Sequence, residues 1–183
     1  MIVTVFGASK TNPGDPLYQQ AFTLGKLLAE CGFSVATGGY IGTMEAVSRG
    51  ASESGGQVIG VTCAEIESWR NVGANPWVQL ELKQETLIQR LDMLINQCDA
   101  ALALPGGIGT LAEILVTWNR LVIQSISPRP LILIGPEWKK TLTSFMDQQG
   151  AFISESDRLS IQFADTAAQT VELLKTLIIK KQD

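Results

Sequence analysis

Two glycine-rich turns and a few charged side chains carry most of the chemistry this sequence offers. The first turn reads Thr37-Gly38-Gly39-Tyr40-Ile41-Gly42-Thr43-Met44-Glu45. The second reads Pro105-Gly106-Gly107-Ile108-Gly109-Thr110-Leu111-Ala112-Glu113. Each follows a short apolar run and opens an amphipathic stretch, the pattern of a strand-to-helix turn. Glycine lets the backbone approach a ligand, and a helix start presents free N–H groups at the positive end of its dipole. A phosphate suits both features. One such turn is equally well explained as a tight connection, but two at neighbouring strand ends favour a shared anion site. Ser9 and Lys10, after the first strand, are placed to reach it or to serve as ordinary loop residues.

The second turn is not a Walker loop, because no Gly-Lys-Ser/Thr follows. Gly107-Ile108-Gly109-Thr110-Leu111-Ala112 matches the dinucleotide fingerprint in form. That fingerprint needs an acid about 20 residues on to hold a ribose, and residues 127–134 contain none. Glu113 admits two readings. Thr110-Leu111-Ala112-Glu113 has the form of a capping box, in which the two side chains satisfy helix-start amides. Alternatively the carboxylate faces a bound sugar and stabilises positive charge developing at its anomeric carbon. Arg90 flanks an apolar helix stripe and by default is an exposed surface arginine. Asp99 opens a strand and is expected to cap or pair locally.

Composition narrows the chemistry further. The 183 residues include no histidine, which excludes a Ser-His-Asp triad, a Cys-His pair and a histidine metal site. Cys31, Cys63 and Cys98 form no Cys-x-x-Cys and read as buried free thiols in a reducing cytoplasm. A formal net charge of −4 gives no global electrostatic case for nucleic acid or an anionic membrane. No apolar run reaches transmembrane length, and the N-terminus lacks the basic start of a signal peptide. Catalysis is left to carboxylates, Arg and Lys, hydroxyls and backbone amides.

The elements that must position these groups alternate. Strands are predicted at 2–6, 33–36, 58–61, 100–104 and 130–134, with a weaker one at 159–163. Helices are predicted at 16–31, 43–54, 84–97, 110–123, 137–148 and 165–180. Residues 63–78 read as irregular; Trp69 and Trp77 there are packing residues or platforms for a base. The alternation implies one α/β domain over 1–183, a mainly parallel sheet with helices on both faces. Ligands of such sheets bind outside the carboxyl ends of the strands.

The stretch 105–113 resembles the PGGxGTxxE signature of the Lonely Guy (LOG) family, cytokinin riboside 5′-monophosphate phosphoribohydrolases formerly labelled lysine decarboxylases. Val5-Phe6-Gly7-Ala8-Ser9, the turn at 37–44, residues 56–61, Thr117-Trp118 and Phe152-Ile153-Ser154 resemble further family segments. The resemblance implies a Rossmann-like three-layer fold and a cytoplasmic homodimer or higher homo-oligomer with sites near the subunit interface. It implies Arg90 and Glu113 as a catalytic pair. It implies Gly106, Gly107, Ile108, Gly109 and Thr110 as the phosphate cradle, with Gly38, Gly39, Gly42, Thr43 and Ser9 beside it. The expected reaction is hydrolysis of the N-glycosidic bond of a nucleoside 5′-monophosphate, with no metal and no cofactor. Glu113 would stabilise the oxocarbenium-like sugar and position water, while Arg90 holds phosphate or ribose oxygens and assists the departing base. Leu91 stands where the family usually has lysine, and the second-loop sequence Gly-Gly-Tyr-Ile-Gly-Thr-Met-Glu lacks the usual third glycine. Asn119-Arg120 also replaces the usual pair after Thr-Trp. The second loop also resembles that of molybdenum-cofactor carrier proteins, so a carrier of a phosphorylated heterocycle is the alternative. A lysine decarboxylase is not expected, because no lysine lies in either glycine-rich turn.

Overall fold

A computed structural model of the chain describes residues 1–179. Its strands are β1 (Ile2–Phe6), β2 (Ser34–Thr37), β3 (Val58–Gly60), β4 (Leu80–Glu81), β5 (Ala100–Ala103), β6 (Leu131–Ile134) and β7 (Gln162–Ala164). Its helices are α1 (Pro16–Glu30), α2 (Thr43–Glu53), α3 (Ala64–Arg70), α4 (Leu87–Asn96), α5 (Ile108–Val122), α6 (Pro136–Gln148), α7 (Glu155–Leu159) and α8 (Ala167–Ile179). The strands form one sheet in the order β4-β3-β2-β1-β5-β6-β7, and every pairing in it is parallel. This is the three-layer α/β architecture that the alternation implies.

The period of two along each strand divides the core. Val3, Val5, Leu102, Leu104, Ile132 and Ile134 point to one face, where they meet side chains of α1, α2 and α8. Phe6, Ala101, Ala103, Leu131 and Leu133 point to the other, against α4, α5 and α6. Both faces are therefore buried, which explains why the central strands read as continuous apolar runs. Thr4, the polar exception in β1, donates its hydroxyl to the Leu94 carbonyl at 3.0 Å. On the first face α1 and α2 pack backbone against backbone. A Cβ at Gly25 would lie 2.1 Å from the Val47 carbonyl oxygen, and one at Gly50 would lie 2.0 Å from that of Phe22.

Strand order reverses between β1 and β5. A crevice opens at such a switch point, outside the carboxyl ends of the two strands. The loop after β1 and the glycine turn after β5 flank that crevice. The glycine turn after β2 adjoins it: the Thr43 amide donates to the Ala8 carbonyl at 2.8 Å.

Several elements differ from the sequence expectations. The irregular stretch 63–78 contains α3, and β4 follows it. Helix α5 begins at Ile108, two residues before the expected start. Helix α4 begins at Leu87 rather than at 84, because Thr86 caps it. The weak strand expected at 159–163 is β7, shifted to Gln162–Ala164, and α7 occupies the residues before it. The expected end of the last helix, at 180, lies outside the described residues. Cys63 and Cys98 are buried thiols, but Cys31 is partly exposed. Asp99 does pair locally in space, accepting the Ile2 amide at 2.8 Å and joining the starts of β5 and β1.

Candidate active site

Helix α4 starts on a reciprocal capping box. The Thr86 side chain accepts the Gln89 amide at 3.2 Å, and the Gln89 side chain accepts the Thr86 amide at 3.1 Å. The next residue, Arg90, turns inward. It is only 6% exposed, so the default reading of a surface arginine is overturned. Two backbone carbonyls make this burial possible. Nε donates to Val61 at 2.7 Å and Nη2 to Gly38 at 3.2 Å. The guanidinium also lies 5.5 Å from the centroid of the buried Tyr40 ring, within cation–π range. Tyr40 is itself fixed, its hydroxyl donating to the Cys63 carbonyl at 3.1 Å and accepting the Cys63 amide at 2.7 Å. Burial raises the Tyr40 phenol above its ordinary pKa, so it remains a neutral donor.

The remaining arm of Arg90 faces Glu113. Nη1 and Oε1 are 3.7 Å apart, close enough for an ion pair but too far for a hydrogen bond. Glu113 does not form the capping box that Thr110-Leu111-Ala112-Glu113 suggests. Helix α5 starts at Ile108 with Gly107 as N-cap, so both residues lie inside the helix, and Gly107 offers no side-chain cap. Thr110 instead folds back over Gly106, where a Cβ would sit 2.2 Å from its Oγ1. The Glu113 side chain is 13% exposed. Burial pushes its pKa up to about 7, while the Arg90 charge pulls in the opposite direction.

The spacing of this pair depends on how α4 meets α5. Arg120 on α5 donates to Asp92 at 2.7 Å and to Asn96 at 2.8 Å on α4, and Asn96 donates to Asp92 at 2.8 Å. This clasp ties the two helices together about two turns beyond Glu113, on the side of α5 that also carries it.

The two glycine turns differ in what they face. A Cβ at Gly107 or Gly109 would meet nothing within 4 Å, so that backbone is open to a ligand, and Ile108 between them is exposed. The turn after β2 packs inward. A Cβ at Gly38 would lie 1.9 Å from Arg90 Nη2, so any side chain there would displace the guanidinium. Gly42, with φ near +79°, presses its Cα against Ala8 and Ser9, a conformation and a fit that only glycine supplies. Gly39 abuts Thr62 and Gly60, and buried Thr43 donates its hydroxyl to Ala8 at 3.0 Å. Asn75 binds the turn from outside, donating its side-chain amide to the carbonyls of Gly39 and Tyr40, each at 3.0 Å.

Sequence reasoning did not single out Asn75, Arg70 or the role of Tyr40, since their contacts join segments far apart in the chain. Ser9 lies beside Gly42 and accepts from Arg70 at 3.2 Å. The Arg70 guanidinium in turn lies 4.9 Å from the Trp69 ring centroid. Trp77 is not a free platform, because the Arg49 guanidinium lies 5.5 Å from its ring centroid. No group of three or more His, Cys, Asp or Glu side chains among the described residues could hold a metal ion.

This arrangement can be compared with known proteins. The profile of the SLOG cluster4 family matches residues 1–158. The chain belongs to that family. As a SLOG cluster4 protein it is similar to the cytokinin riboside 5′-monophosphate phosphoribohydrolase LOG2 of Arabidopsis thaliana, with 28% identity covering 99% of this chain and 85% of the relative. The enzyme of the same description from Rhodococcoides fascians is 27% identical, covering 85% of this chain and 80% of its own. The rice phosphoribohydrolase LOG is 34% identical over 88% of this chain and 67% of its own. Among solved structures, the molybdenum cofactor carrier protein of Chlamydomonas reinhardtii superimposes with a TM-score of 0.74 at 25% identity, covering 97% of this chain and 98% of that one. The molybdenum cofactor binding protein of Rippkaea orientalis gives a TM-score of 0.75 at 23% identity, covering 97% and 96%. The second of these likenesses bears on the fold alone.

Proposed function

We propose that this SLOG cluster4 protein is a hydrolase that cleaves the N-glycosidic bond of a nucleoside 5′-monophosphate, releasing free base and ribose 5-phosphate. The observation that carries the reading is the Arg90–Glu113 pair, 3.7 Å apart and nearly buried, on the two helices that flank a glycine turn open to a ligand. The phosphate rests on the turn of Gly106, Gly107, Ile108, Gly109 and Thr110, at the positive end of α5. Anchored there, the ribose presents its anomeric carbon to Glu113, and the anchoring removes part of the entropic barrier. As the C–N bond breaks, its electron pair leaves with the base and positive charge builds on the sugar. The Glu113 carboxylate stabilises that charge and positions a water molecule. The water adds its hydroxyl to the anomeric carbon, and its proton ends on the base nitrogen.

Arg90 has Nε and Nη2 engaged by backbone carbonyls, so its Nη1 edge is the part turned toward Glu113 and substrate oxygens. Gly38, Gly39, Gly42 and Thr43 serve by holding Arg90 and Ser9 in place. No metal or cofactor enters this scheme. The working form is a homodimer or higher homo-oligomer in the cytoplasm. The outward stripe of Ile108, Leu115, Val116 and Val122 on α5, continued by Ile123 at its C-cap, supports dimerisation, because it is apolar and exposed along the helix that carries the site. Helices long and apolar enough to cross a membrane are absent among the described residues.

The deciding experiment measures free base released from AMP and from N6-modified AMP by the wild type and by Glu113→Gln. Release by the wild type alone supports the assignment. Equal release by both keeps the enzyme and removes Glu113 from its role. No release from either nucleotide by folded wild type excludes these substrates.

A second reading has its own support. The Chlamydomonas carrier matches this chain almost end to end, at 97% and 98% coverage. On that reading the same cradle holds molybdenum cofactor or another phosphorylated heterocycle without turnover. Mass spectrometry of protein purified without added ligand would reveal a co-purifying pterin if it is correct.

A further inference from the structure

We propose that Arg70, at the end of α3, is the residue by which this protein distinguishes a phosphorylated ligand from its unphosphorylated form. The inference rests on the nucleoside monophosphate reading and adds to it a cation from outside the glycine turns.

Arg70 reaches from beyond the end of β3 to the loop after β1, where Nη1 donates to Ser9 Oγ at 3.2 Å. Ser9 stands at the switch point, with its Cα against Gly42, the N-cap of α2. The glycine turn after β5 lies on the other flank of the same loop, since β1 pairs with β5 up to Phe6 and Ala103. A phosphate seated at the crevice therefore has the α5 amides on one side and the Ser9–Arg70 pair on the other.

The other arginines of the chain are engaged elsewhere. Arg49, Arg90, Arg120 and Arg158 face carboxylates of Glu53, Glu113, Asp92 and Asp147. Arg129 donates to the carbonyls of Ser127, Ile95 and Cys98. Arg70 alone among them has only a neutral hydroxyl and an aromatic face as partners among the described residues. Its positive charge is thus uncompensated beside a site that takes an anion. The Trp69 ring lies 4.9 Å from the guanidinium and aligns it, so that tryptophan acts as a prop for Arg70 rather than a platform for the base. Guanidinium is well matched to phosphate, because its planar fork donates two parallel hydrogen bonds.

The test compares wild type with Arg70→Ala, Arg70→Lys and Ser9→Ala. Binding of ribose 5-phosphate is measured by calorimetry, and turnover is measured with AMP and with adenosine. Arg70 is exposed, so its removal should leave the melting temperature unchanged. The expected result is roughly tenfold weaker binding of ribose 5-phosphate and a matching rise in KM for AMP in Arg70→Ala. kcat should change little, and turnover of adenosine should not change. Arg70→Lys should recover part of the loss and Ser9→Ala should reproduce part of it. If wild type binds ribose 5-phosphate and Arg70→Ala binds it equally well, the inference falls and the enzyme reading stands. If wild type binds neither ribose 5-phosphate nor AMP, both fall together.

Discussion

Glu113 holds a charge where a charge is hard to keep. Its pKa of about 7, against 4.5 for an ordinary glutamate, makes catalysis and stability respond oppositely to pH. If the ionised form does the work, base release should rise with pH through about 7. Stability should move the other way. Between about 4.5 and 7 the folded protein binds a proton at Glu113 that the unfolded chain has lost, so the folded state is favoured less as pH rises through that window. Paired pH profiles of rate and melting temperature check both signs. Glu113→Gln should abolish base release and be neutral to stabilising above pH 7, since it removes a buried charge without touching a helix cap. Arg90→Gln should shift the Glu113 titration to still higher pH, which carbon-13 NMR of the carboxylate would report. At this scale the sequence was only partly legible. The family-like pattern grouped Arg90 with Glu113, and the two side chains do meet, but the burial of Arg90 was not legible. Its carbonyl partners, Val61 and Gly38, lie 29 and 52 residues away. The capping-box reading of Glu113 failed because the Pro105-Gly106-Gly107 turn lets the helix begin at Ile108, where a local motif search does not look.

The elements matter through the angle they impose on that pair. The Arg120–Asp92–Asn96 clasp ties α5 to α4 about two turns beyond Glu113. Asp92 is more than half exposed, so its pair with Arg120 contributes little stability, about 1 kcal/mol or less. Its effect on geometry should be larger than its effect on stability. Asp92→Ala is expected to lower kcat several-fold with a melting temperature close to wild type, as steady-state kinetics and thermal denaturation will show. The helices that carry the site were legible because their apolar spacing is regular. Helix α3 and strand β4 were not, for physical reasons. No residue of α3 is buried, and β4 is two exposed residues held in place by pairing with β3. Neither leaves a periodic apolar trace in the sequence, yet α3 delivers Arg70 to the crevice.

On the scale of the whole molecule, the three-layer architecture was the most legible feature. Alternating apolar runs and amphipathic stretches leave few ways to bury both faces of a sheet. The order reversal at β1 and β5 then places the two loops beside one another without further instruction. The apolar stripe on α5 remains uncovered in a single chain: Ile108 is 88% and Ile123 62% exposed. Dimerisation through this stripe predicts that Ile123→Glu shifts the protein from dimer to monomer in analytical ultracentrifugation, with the fold retained by circular dichroism. A wild type that sediments as a monomer at all concentrations would remove the dimer from the account.

The backbone contact between α1 and α2 has a consequence for anyone who wishes to adjust this protein. Helix α1 follows the loop that carries Ser9, and α2 follows the turn that carries Gly38 and Gly42. Their separation is set where Gly25 meets Val47 and Gly50 meets Phe22, with no room for one methyl group. The two glycines work as the jaws of a caliper whose reading is the aperture between those loops. Gly25→Ala would open that aperture by a fraction of a methyl's width, at about 1–3 kcal/mol of stability, without changing the identity of any polar group at the crevice. A graded series at the two positions would then report how finely the fit of the ligand is tuned, measured from the far side of the sheet's central strands.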